Sequence, residues 1–541
     1  MDCVRVHLNK NLWDKISSTY TIGSAFLGEQ LLRDDNLSRA FMHEQEFDGF
    51  TSLLKRLNGF FAVVHECANA LYLAADHVRS FPLFYGMSKN AFFVSDDPFW
   101  IMRKTNRNDI SELSTIEFLL TGFITGDESL CTRVKQVQPG EILHVSRVRK
   151  RFHVTKVRYY KFLCGNVLRE SSDKLVKRLD TAAVASIRRL ITLAHGRTLV
   201  IPLGGGVDCR LIVLMLKRLG YDKVIALGYG RLGNSESEIA KNVASALGIG
   251  WVFVPYTNEA WERWSRTDEW SNYCRTASGL ASIPHVQDWP AIWELRRQQM
   301  IPSDSILVPG HLPVVWSPPV EWLKRRIVHK TELLDLIIER FYNLHNWSRS
   351  DEMLRSRLRN RIADLLKTSN TYKKKSAFAT YVRWWWQEPE AKFVINSVRV
   401  YDFWDYEWWL PLWDKELARF WSRVPVVYSA NREIEKEYLN ELQMELIGRT
   451  IEFRSAGSTM LRLASKLARK THLYRQALRF YGLRQYDNHQ FAWYGITPRS
   501  IFNRTFTGTE NINSYVGMQT IQNIFPKWRN SLDIGWILHM S

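Results

Sequence analysis

The sequence lacks the features that define several classes of protein. Its six cysteines are scattered along 541 residues and no Cys-x-x-Cys pair occurs, which argues against a zinc site and a disulfide framework. No apolar run approaches the ~18 residues that a membrane-spanning helix needs. Residues 1–15 contain no apolar stretch typical of a signal peptide. The composition therefore predicts a globular, cytoplasmic protein.

Acidic residues are also in short supply. The chain has 55 acidic and 74 basic residues, which gives a formal net charge of +19. A field of this sign favours polyanionic partners, but the basic residues are spread along the chain without a nucleic-acid-binding motif, so we expect no nucleic-acid partner. The densest basic stretch, residues 465–484, alternates basic and apolar residues at helical spacing. It predicts the solvated face of a terminal helix or, as the alternative, peripheral association with an acidic membrane.

The clearest pattern lies between residues 198 and 256, where three apolar runs are separated by two segments with helical periodicity. Gly220 is expected to end the first helix. Ser235 and Glu238 are expected to form a capping box at the start of the second helix. This βαβαβ pattern predicts a parallel sheet that binds ligands at the carboxyl ends of its strands.

The loop after the first of these strands contains Gly204, Gly205 and Gly206, and Asp208 follows two residues later. Glycines let the backbone approach a ligand closely, and the helix that begins here directs free N–H groups at an anion. Asp208 would hold Mg²⁺ against phosphates, because a hard cation prefers oxygen ligands. The loop is neither a Walker A loop nor a dinucleotide fingerprint, since no Gly-Lys-Ser/Thr follows and Cys209 takes the third glycine position. It predicts a phosphate site or, alternatively, an ordinary glycine turn.

Residues 204–209 resemble the Ser-Gly-Gly-Leu-Asp-Ser pyrophosphate loop of the asparagine synthetase family. Other segments resemble the second half of that family's glutaminase domain, its adenine-side strand end and its late motifs. They follow the order of the family over most of residues 20–440, and this order is more specific than any single motif. The segments are 57–62, 74–85, 121–141, 229–247, 411–414 and 435–436.

The resemblance implies an α/β protein of two main domains. Residues 1–160 would form a glutaminase-like α+β domain of the Ntn-hydrolase type. Residues 161–445 would form a parallel-sheet ATP-pyrophosphatase domain (PP-loop, HUP-like) with helical C-terminal additions. Residues 446–541 would be a basic extension that is helical in part. A length of 541 residues agrees with two or three domains.

The glutaminase half is expected to be inactive. In the family this activity needs a cysteine as the first residue, whose free amine is the base for its own thiol. The chain begins Met1-Asp2-Cys3; Asp2 should prevent removal of Met1, and a shift of one residue in a strand turns a side chain to the opposite face. No Asn-Gly-Glu triplet of the glutamine pocket occurs between residues 20 and 58. We expect this domain to support the ATP domain.

The resemblance implies ATP and Mg²⁺ as cofactors. Asp208 would bind the metal, and Lys436 would be the catalytic cation that neutralises the α-phosphate and the tetrahedral intermediate. His285, Asp288 and His311 are candidate substrate contacts, with a buried core histidine as the alternative reading of His285. The expected nucleotide-binding residues are Leu203, Gly204, Gly205, Gly206, Asp208, Cys209, Tyr229 and Gly310.

One loop departs from the family pattern. The apolar run 305–308 is followed by Gly310 and His311, where the family has a Ser-Gly-Glu-Gly-x-Asp-Glu loop that supplies adenine contacts and a second Mg²⁺ carboxylate. His311 replaces a glutamate, and Val314 takes the position of the metal-binding aspartate. A missing carboxylate matters because the metal neutralises charge on the leaving pyrophosphate.

We interpret the chain as an asparagine synthase-like ligase. It would adenylate a small carboxylate with ATP, release pyrophosphate, and then transfer ammonia or an amine to the acid as AMP leaves. The ammonia would come from solution or a partner, or the amine from the substrate itself. One alternative is a catalytically degenerate scaffold that keeps the fold and binds nucleotide. Another is an intramolecular amide or lactam synthetase, similar to β-lactam synthetases and lasso-peptide cyclases.

Tryptophan is concentrated in residues 384–386 and 403–421. Core packing is the prediction for this stripe, with a sugar-stacking or partner surface as the alternative. The Trp-rich tail is most similar to family members that accompany cell-surface polysaccharide synthesis. By that analogy alone, the acid would be a uronic acid.

Overall fold

The computed structural model describes residues 3–525 with internal gaps. The gaps are 106–108, 150, 165–166, 315–326, 346, 348–350, 368, 430–431, 454–482 and 507–509. Most of the predicted basic terminal helix at 465–484 lies outside the described residues. Among the described residues, no helix is both long and apolar enough to cross a membrane.

Two stacked sheets form the N-terminal part, in the orders β1-β8-β7-β9 and β11-β10-β6-β5-β3-β2, with β4 paired to β3. The strands are β1 (Val4–His7), β2 (Asp14–Ile16), β3 (Thr19–Leu27), β4 (Gln30–Arg33), β5 (Leu57–Glu66), β6 (Ala70–Ala75), β7 (Phe84–Met87), β8 (Phe92–Ser95), β9 (Val134–Gln136), β10 (Glu141–Val148) and β11 (Arg151–Arg158). The helices are α1 (Asp35–Met42), α2 (Phe47–Arg56), α3 (Pro98–Lys104) and α4 (Glu112–Thr121).

Both faces of β5 are covered. Val64 faces the core between the two sheets, whereas Val63 faces a second core that contains Phe41 and Phe50 of α1 and α2. This division follows from the two-residue period of a strand. It explains why the middle of this strand, residues 60–64, is a continuous apolar run without alternating polar residues.

A five-stranded parallel sheet, in the order β14-β13-β12-β15-β18, forms the centre of the C-terminal part. Its strands are β12 (Leu199–Pro202), β13 (Val224–Gly230), β14 (Gly250–Pro255), β15 (Ile306–Leu307) and β18 (Glu407–Trp408); β16 (Ile327–His329) and β17 (Thr371–Lys373) form a separate pair. The first helices of this part are α5 (Ser172–Ala194), α6 (Asp208–Arg218), α7 (Ser235–Leu247), α8 (Asn258–Trp264), α9 (Asp268–Ser278), α10 (Trp289–Arg297), α11 (Lys330–Phe341) and α12 (Glu352–Leu366).

The remaining helices include one π-helical segment, Trp386–Val394, which continues α13. The α-helices are α13 (Lys374–Trp385), α14 (Arg399–Phe403), α15 (Lys415–Trp421), α16 (Val426–Ser429), α17 (Glu433–Ile447), α18 (Arg499–Thr505) and α19 (Ile512–Ile524). Short 3₁₀ segments lie at Ile395–Val398, Pro411–Trp413 and Trp493–Ile496.

The predicted βαβαβ unit is confirmed. β12 pairs in parallel with β13, and β13 with β14, with α6 and α7 as the connections. Gly220 follows α6 with a φ of 72°, as expected of a helix end. The predicted capping box at Ser235 and Glu238 is wrong: Asn234 caps α7 by accepting a hydrogen bond from the Ser237 N–H at 2.9 Å. Asparagine and serine are both strong caps, so the choice between adjacent residues depended on the backbone.

The prediction that the tryptophan stripe packs in the core is confirmed. Trp384, Trp386 and Trp413 are fully buried, and Trp408, Trp409 and Trp421 are at most 5% exposed. The described residues after 483 also pack into the main core, which includes Phe491, Tyr494 and Phe502. The domain boundaries at 160 and 445 stay predictions.

Candidate functional site

The candidate site lies at the carboxyl ends of the parallel strands. Leu203 and the three glycines follow β12, Tyr229 lies near the end of β13, and Gly310 follows β15. Because adjacent parallel strands end at the same edge, these residues converge although more than 100 positions separate the first from the last.

The glycine loop is open on one side. A side chain added at Gly206 would meet no atom within 4 Å, and Gly206 is exposed. At Gly204 the neighbour is the Glu236 carboxylate, whose oxygen lies 3.1 Å from an ideal Cβ position. The N–H groups of the first turn of α6 are therefore accessible to a ligand, which is what an anion cradle requires.

Gly310 is packed directly against the start of α6. An ideal Cβ at Gly310 would lie 2.5 Å from Cys209 Sγ, 2.8 Å from the Cys209 amide nitrogen and 3.0 Å from Asp208 Cβ. Only glycine permits this approach of the loop after β15 to the phosphate loop. The Cys209 thiol faces Gly310, and burial together with the charge of Asp208 raises its pKa to about 12, so it is a packing group here.

Asp208 is held by a cation that the sequence did not predict. Arg432 donates from Nη2 to Asp208 Oδ1 and, at 3.3 Å, from Nη1 to Oδ2. The same guanidinium contacts Glu435 Oε2, at 2.7 Å from Nε and 2.6 Å from Nη2. Although burial opposes the charge, the carboxylates of Glu435 and Asp208 raise the pKa of Arg432 above its ordinary value.

Lys436 lies on the exposed side of α17, one residue after the buried Glu435. Its backbone N–H bonds the Arg432 carbonyl at 3.0 Å, but it is Arg432, four residues earlier, that reaches Asp208. The beginning of α17 therefore lies close to Asp208 in the structure. The predicted lysine, however, points from that helix toward solvent.

A cleft of about 180 Å³ opens beside the glycine loop. It lies between the ends of β12 and β13, where the resemblance placed the adenine. Its lining residues are Pro202, Leu203, Gly204, Gly228, Tyr229, Glu236, Ser237, Gln287 and Phe491. Phe491 comes from the C-terminal segment, which is fixed to this edge by hydrogen bonds such as Gln490 Nε2 to Glu236 Oε1 at 3.0 Å.

Asp288 is a buried acceptor at the back of this cleft. Tyr229 and Tyr401 each donate a phenolic hydrogen bond to its carboxylate at 2.7 Å. Gln287 Nε2 donates to the Tyr229 oxygen at 2.9 Å, so Tyr229 is fixed from both sides. Burial and the charge of Asp288 raise the pKa values of both tyrosines well above the ordinary range, which keeps them as neutral donors.

The two candidate histidines face the same region, and burial disfavours the charged form of both. Burial lowers the pKa of His311 to about 4, with His285 lowering it further and Asp288 raising it. His311 Nε2 lies 2.8 Å from the Ser397 hydroxyl. Burial also lowers the pKa of His285, and its Nδ1 has no hydrogen-bond partner in the described part of the chain. His285 is therefore not the fully satisfied core histidine of the alternative reading.

Sequence reasoning missed Arg432, Phe491, Glu390 and Arg210. Glu390 is buried in the π-helical segment and accepts a hydrogen bond from Trp413 Nε1 at 3.0 Å. Burial and the charge of Asp208 raise its pKa. Arg210 is fully buried and donates to the Gly205 carbonyl at 3.4 Å and to the Ile451 carbonyl at 2.7 Å, which braces the glycine loop. For Arg210 the local sequence signal was an arginine four positions after the last glycine of the loop.

A single Mg²⁺ fits the residues present. No group of three acidic, histidine or cysteine side chains suited to a metal occurs in the described ranges. Mg²⁺, however, keeps several waters and needs only one or two carboxylates besides substrate phosphates. Asp208 can supply one such carboxylate, but both of its oxygens contact the Arg432 guanidinium, which a bound metal would have to displace.

Parts of the chain are similar in sequence to known proteins. Residues 40–160 match the family of glutamine amidotransferase domains. Asparagine synthetase [glutamine-hydrolyzing] 1 of Bacillus subtilis (strain 168) is 28% identical over 201 residues, which is 36% of this chain and 30% of that protein. The match thus spans less than a third of the length of the curated relative.

Solved structures give weak matches. Glutamine phosphoribosylpyrophosphate amidotransferase from B. subtilis, in complex with ADP and GMP, is 12% identical, with a TM-score of 0.19 over 55% of this chain and 62% of that chain. The allosteric regulatory enzyme of purine biosynthesis is also 12% identical, with a TM-score of 0.18 over 56% of this chain and 57% of that one. Scores this low carry no conclusion about the site.

The class that follows is an α/β protein with a glutamine amidotransferase-type N-terminal domain and a parallel sheet in its C-terminal part. More particularly, 36% of the chain is similar in sequence to an asparagine synthetase, at 28% identity.

Proposed function

We propose that the chain is an asparagine synthase-like, ATP-dependent carbon–nitrogen ligase that acts in the cytoplasm. It adenylates a small carboxylate and passes the acyl group to ammonia or an amine, with release of pyrophosphate and AMP. The observation that carries the proposal is the open glycine loop at the start of α6, with Asp208 beside it. The parallel sheet then serves as a PP-loop ATP-pyrophosphatase domain.

The residues of the site divide into binding and positioning groups. The N–H groups after Gly204–Gly206 bind the pyrophosphate part of ATP. Leu203, Tyr229 and Gly310 border the adenine, and Asp288 positions Tyr229. Asp208 holds Mg²⁺, which when bound supplies neutralisation of the phosphate charge. Lys436 is the proposed catalytic cation by resemblance, and Arg432 lies nearer to Asp208.

The N-terminal domain is proposed to have lost glutamine hydrolysis. The Cys3 thiol is half-buried beside β1 and accepts a hydrogen bond from Arg147 Nη1 at 3.1 Å, so it is engaged by a structural partner. Ammonia is then taken from solution. The expected result is that glutamine yields no more product than ammonium does; a glutamine-driven rate above the ammonium rate contradicts this part of the proposal.

The test of the ligase is ATP–pyrophosphate exchange measured across a panel of small carboxylates. Asp208→Ala should lower exchange by about 10²-fold or more, because a preorganised charge at the phosphates is lost. Asp222→Ala is the matched control, since Asp222 is an exposed aspartate on the loop after the same helix, and its exchange should equal that of the wild type. Unchanged exchange in Asp208→Ala overturns the assignment.

A second candidate is a nucleotide-binding scaffold without catalysis. The contact of both Asp208 oxygens with Arg432 favours it, because the metal must compete with a bound guanidinium. Nucleotide binding by the wild type without exchange for any acid would support the scaffold. The membrane association proposed for the basic terminal region would be tested separately with vesicles of acidic lipid.

A further inference from the structure

A cavity of about 550 Å³ lies between the sheets of the N-terminal part and the helices α9 and α14. Its walls include the loop before β2, residues 79–84, the first turn of α3 and the C-terminal half of α9. The volume falls within the roughly 300–1,000 Å³ of small-molecule sites. It shares no lining residue with the cleft at the glycine loop, and we call it the arginine cavity.

Two arginines of this cavity lack an acidic partner. Arg79 is 3% exposed, and its guanidinium carbon lies 5.8 Å from the centre of the Phe84 ring. Arg275 lies 4.6 Å from the centre of the Phe99 ring. In the part of the chain that is described, no carboxylate forms an ion pair with either arginine. Aromatic faces therefore orient both guanidinium groups and leave N–H edges for another acceptor.

The acidic residues of the cavity have partners of their own. Asp402 pairs with Arg399 at 2.8 Å. Asp97 caps α3 and pairs with Arg103 at 3.3 Å. Asp96 accepts hydrogen bonds from a backbone N–H at 3.1 Å and an indole N–H at 3.0 Å. Asp97 and Asp402 are thus paired with arginines and Asp96 is held by two N–H donors, which leaves Arg79 and Arg275 as the lining cations without an ion pair among the described residues.

The buried position of Arg79 reinforces this conclusion. Burial and the nearby charge of Arg399 lower the pKa of Arg79 to about 9, although the charges of Glu388 and Asp76 act to raise it. A charge that is buried without a close counter-ion costs free energy, and an anion in the cavity would offset that cost. Arg79 donates from Nε to the Val137 carbonyl at 3.1 Å, and within the described ranges its terminal nitrogens are left for a ligand.

We propose that the arginine cavity binds a small organic oxyanion, a carboxylate or phosphate ester on an apolar or ring-shaped body. Arg79 and Arg275 would hold the oxyanion, because a guanidinium fork matches carboxylate and phosphate oxygens. The body would lie against the rings of Trp13, Phe81 and Phe403, which also line the cavity. The proposal does not depend on the ligase activity.

The test uses the full chain with benzoate and phenyl phosphate as probes, and with neutral benzamide as the matched non-anionic compound. Binding is measured by equilibrium dialysis on the wild type and on Arg79→Gln, Arg275→Gln and Arg103→Gln. Arg103 is the control, since it lies on α3 beside the cavity but pairs with Asp97. Thermal midpoints establish that each variant is folded; Arg275 is exposed, so its variant should fold.

We expect at least one anion to bind the wild type and Arg103→Gln equally, and each of the other variants to bind it about tenfold or more weakly, as the loss of a charge-assisted hydrogen bond requires. Benzamide should not compete. A preference for benzoate indicates a carboxylate ligand and a preference for phenyl phosphate a phosphate ester. The proposal is overturned if the wild type binds neither anion, if benzamide binds as tightly, or if Arg275→Gln binds like the wild type.

Discussion

Asp208 interacts electrostatically with two buried carboxyl groups, those of Glu390 and Glu435, and with the guanidinium of Arg432. Glu390 and Glu435 are both buried, and burial, together with the charge of Asp208, raises the pKa of each to about 8. Arg432 lowers the pKa of Glu435 but contacts only that residue and Asp208 among the three. A cation bound beside these carboxyl groups would lower their pKa values again, because a nearby opposite charge favours the ionised form.

Glu390→Gln should stabilise the protein at alkaline pH. The folded-state pKa of about 8 lies above the ordinary value of 4.5. As pH rises from 4.5 to 8 the unfolded state ionises first, so the wild-type free energy of unfolding falls through this window. In the variant the free energy of unfolding does not fall in this way, because the amide does not ionise. Its side-chain oxygen still accepts the hydrogen bond from Trp413. Thermal midpoints should agree near pH 4.5 and be higher for the variant at pH 9.

The control for this change is Glu416→Gln, because Glu416 is more than half exposed and its substitution should leave the midpoint within error at both pH values. A lower midpoint for Glu390→Gln at pH 9 would mean that the carboxylate is ionised and stabilising in the folded protein, which contradicts the expected direction.

Arg432→Gln should tighten metal binding at Asp208. The guanidinium contacts both carboxylate oxygens, so a divalent cation must displace it, and its removal lowers the apparent dissociation constant severalfold. Mn²⁺ binding to the nucleotide-free protein, followed by electron paramagnetic resonance, measures this without catalysis. Lys436→Gln serves as the comparison, because the exposed Lys436 should leave Mn²⁺ binding unchanged. Weaker binding in Arg432→Gln would show that the arginine orders the site.

At the level of elements, α7 links the cleft beside the glycine loop to strands β13 and β14 of the sheet. Its first turn supplies Glu236 and Ser237 to the cleft, and Asn234 fixes where that turn begins. Asn234 Nδ2 also donates to the Arg231 carbonyl at 2.7 Å, while its oxygen caps the helix. One side chain therefore sets both the end of the loop after β13 and the start of α7.

Asn234→Ala should destabilise the protein by about 1 kcal/mol, the ordinary value of a lost N-cap. Ser235→Ala should have little effect, because the serine hydroxyl does not cap α7. Urea titrations of the two variants, monitored at the same wavelength, compare them directly. The reverse order, with Ser235→Ala the more damaging change, would restore the capping box expected from the sequence.

The π-helical segment is the other element with a defined role. Lys392 is fully buried and donates to the carbonyls of Ile124 and Gly126 at 2.7 and 2.6 Å and to Glu388 at 2.6 Å. Glu388 in turn accepts from the Gly126 N–H at 3.0 Å. These bonds join the segment that carries Glu390 to the end of the N-terminal part, so the two parts of the chain are connected close to the site.

At the scale of the molecule, local patterns were predictable and distant contacts were not. The βαβαβ unit follows from apolar periodicity and glycine positions within about 60 residues. The contact of Arg432 with Asp208 joins residues 224 positions apart, and Phe491 reaches the cleft from the C-terminal segment. No periodicity encodes such contacts. Lys436 was placed by motif alone, and its exposure depended on the rotation of α17.

Asp414 ties the two parts of the chain together. It is 3% exposed and accepts hydrogen bonds from Arg189 at 2.7 and 2.9 Å and from Asn58 of β5 at 3.0 Å. Lys415, the next residue, donates to the Leu57 carbonyl. The main core also contains residues from both parts, such as Phe60 and Trp409. These connections predict that the parts unfold together.

Calorimetry of the wild type should therefore show one transition, and Asp414→Ala should lower its midpoint by several degrees without splitting it. Removal of one partner of a buried ion pair costs about 3–5 kcal/mol, because the other charge stays buried, and Arg189 keeps only the exposed Glu416 at 3.3 Å. Asp405→Ala, at an exposed pair with Arg296, should leave the midpoint unchanged. Two separate transitions in the wild type would show that the N-terminal part is an independent unit, and its proposed role as a support for the ATP domain would then fail.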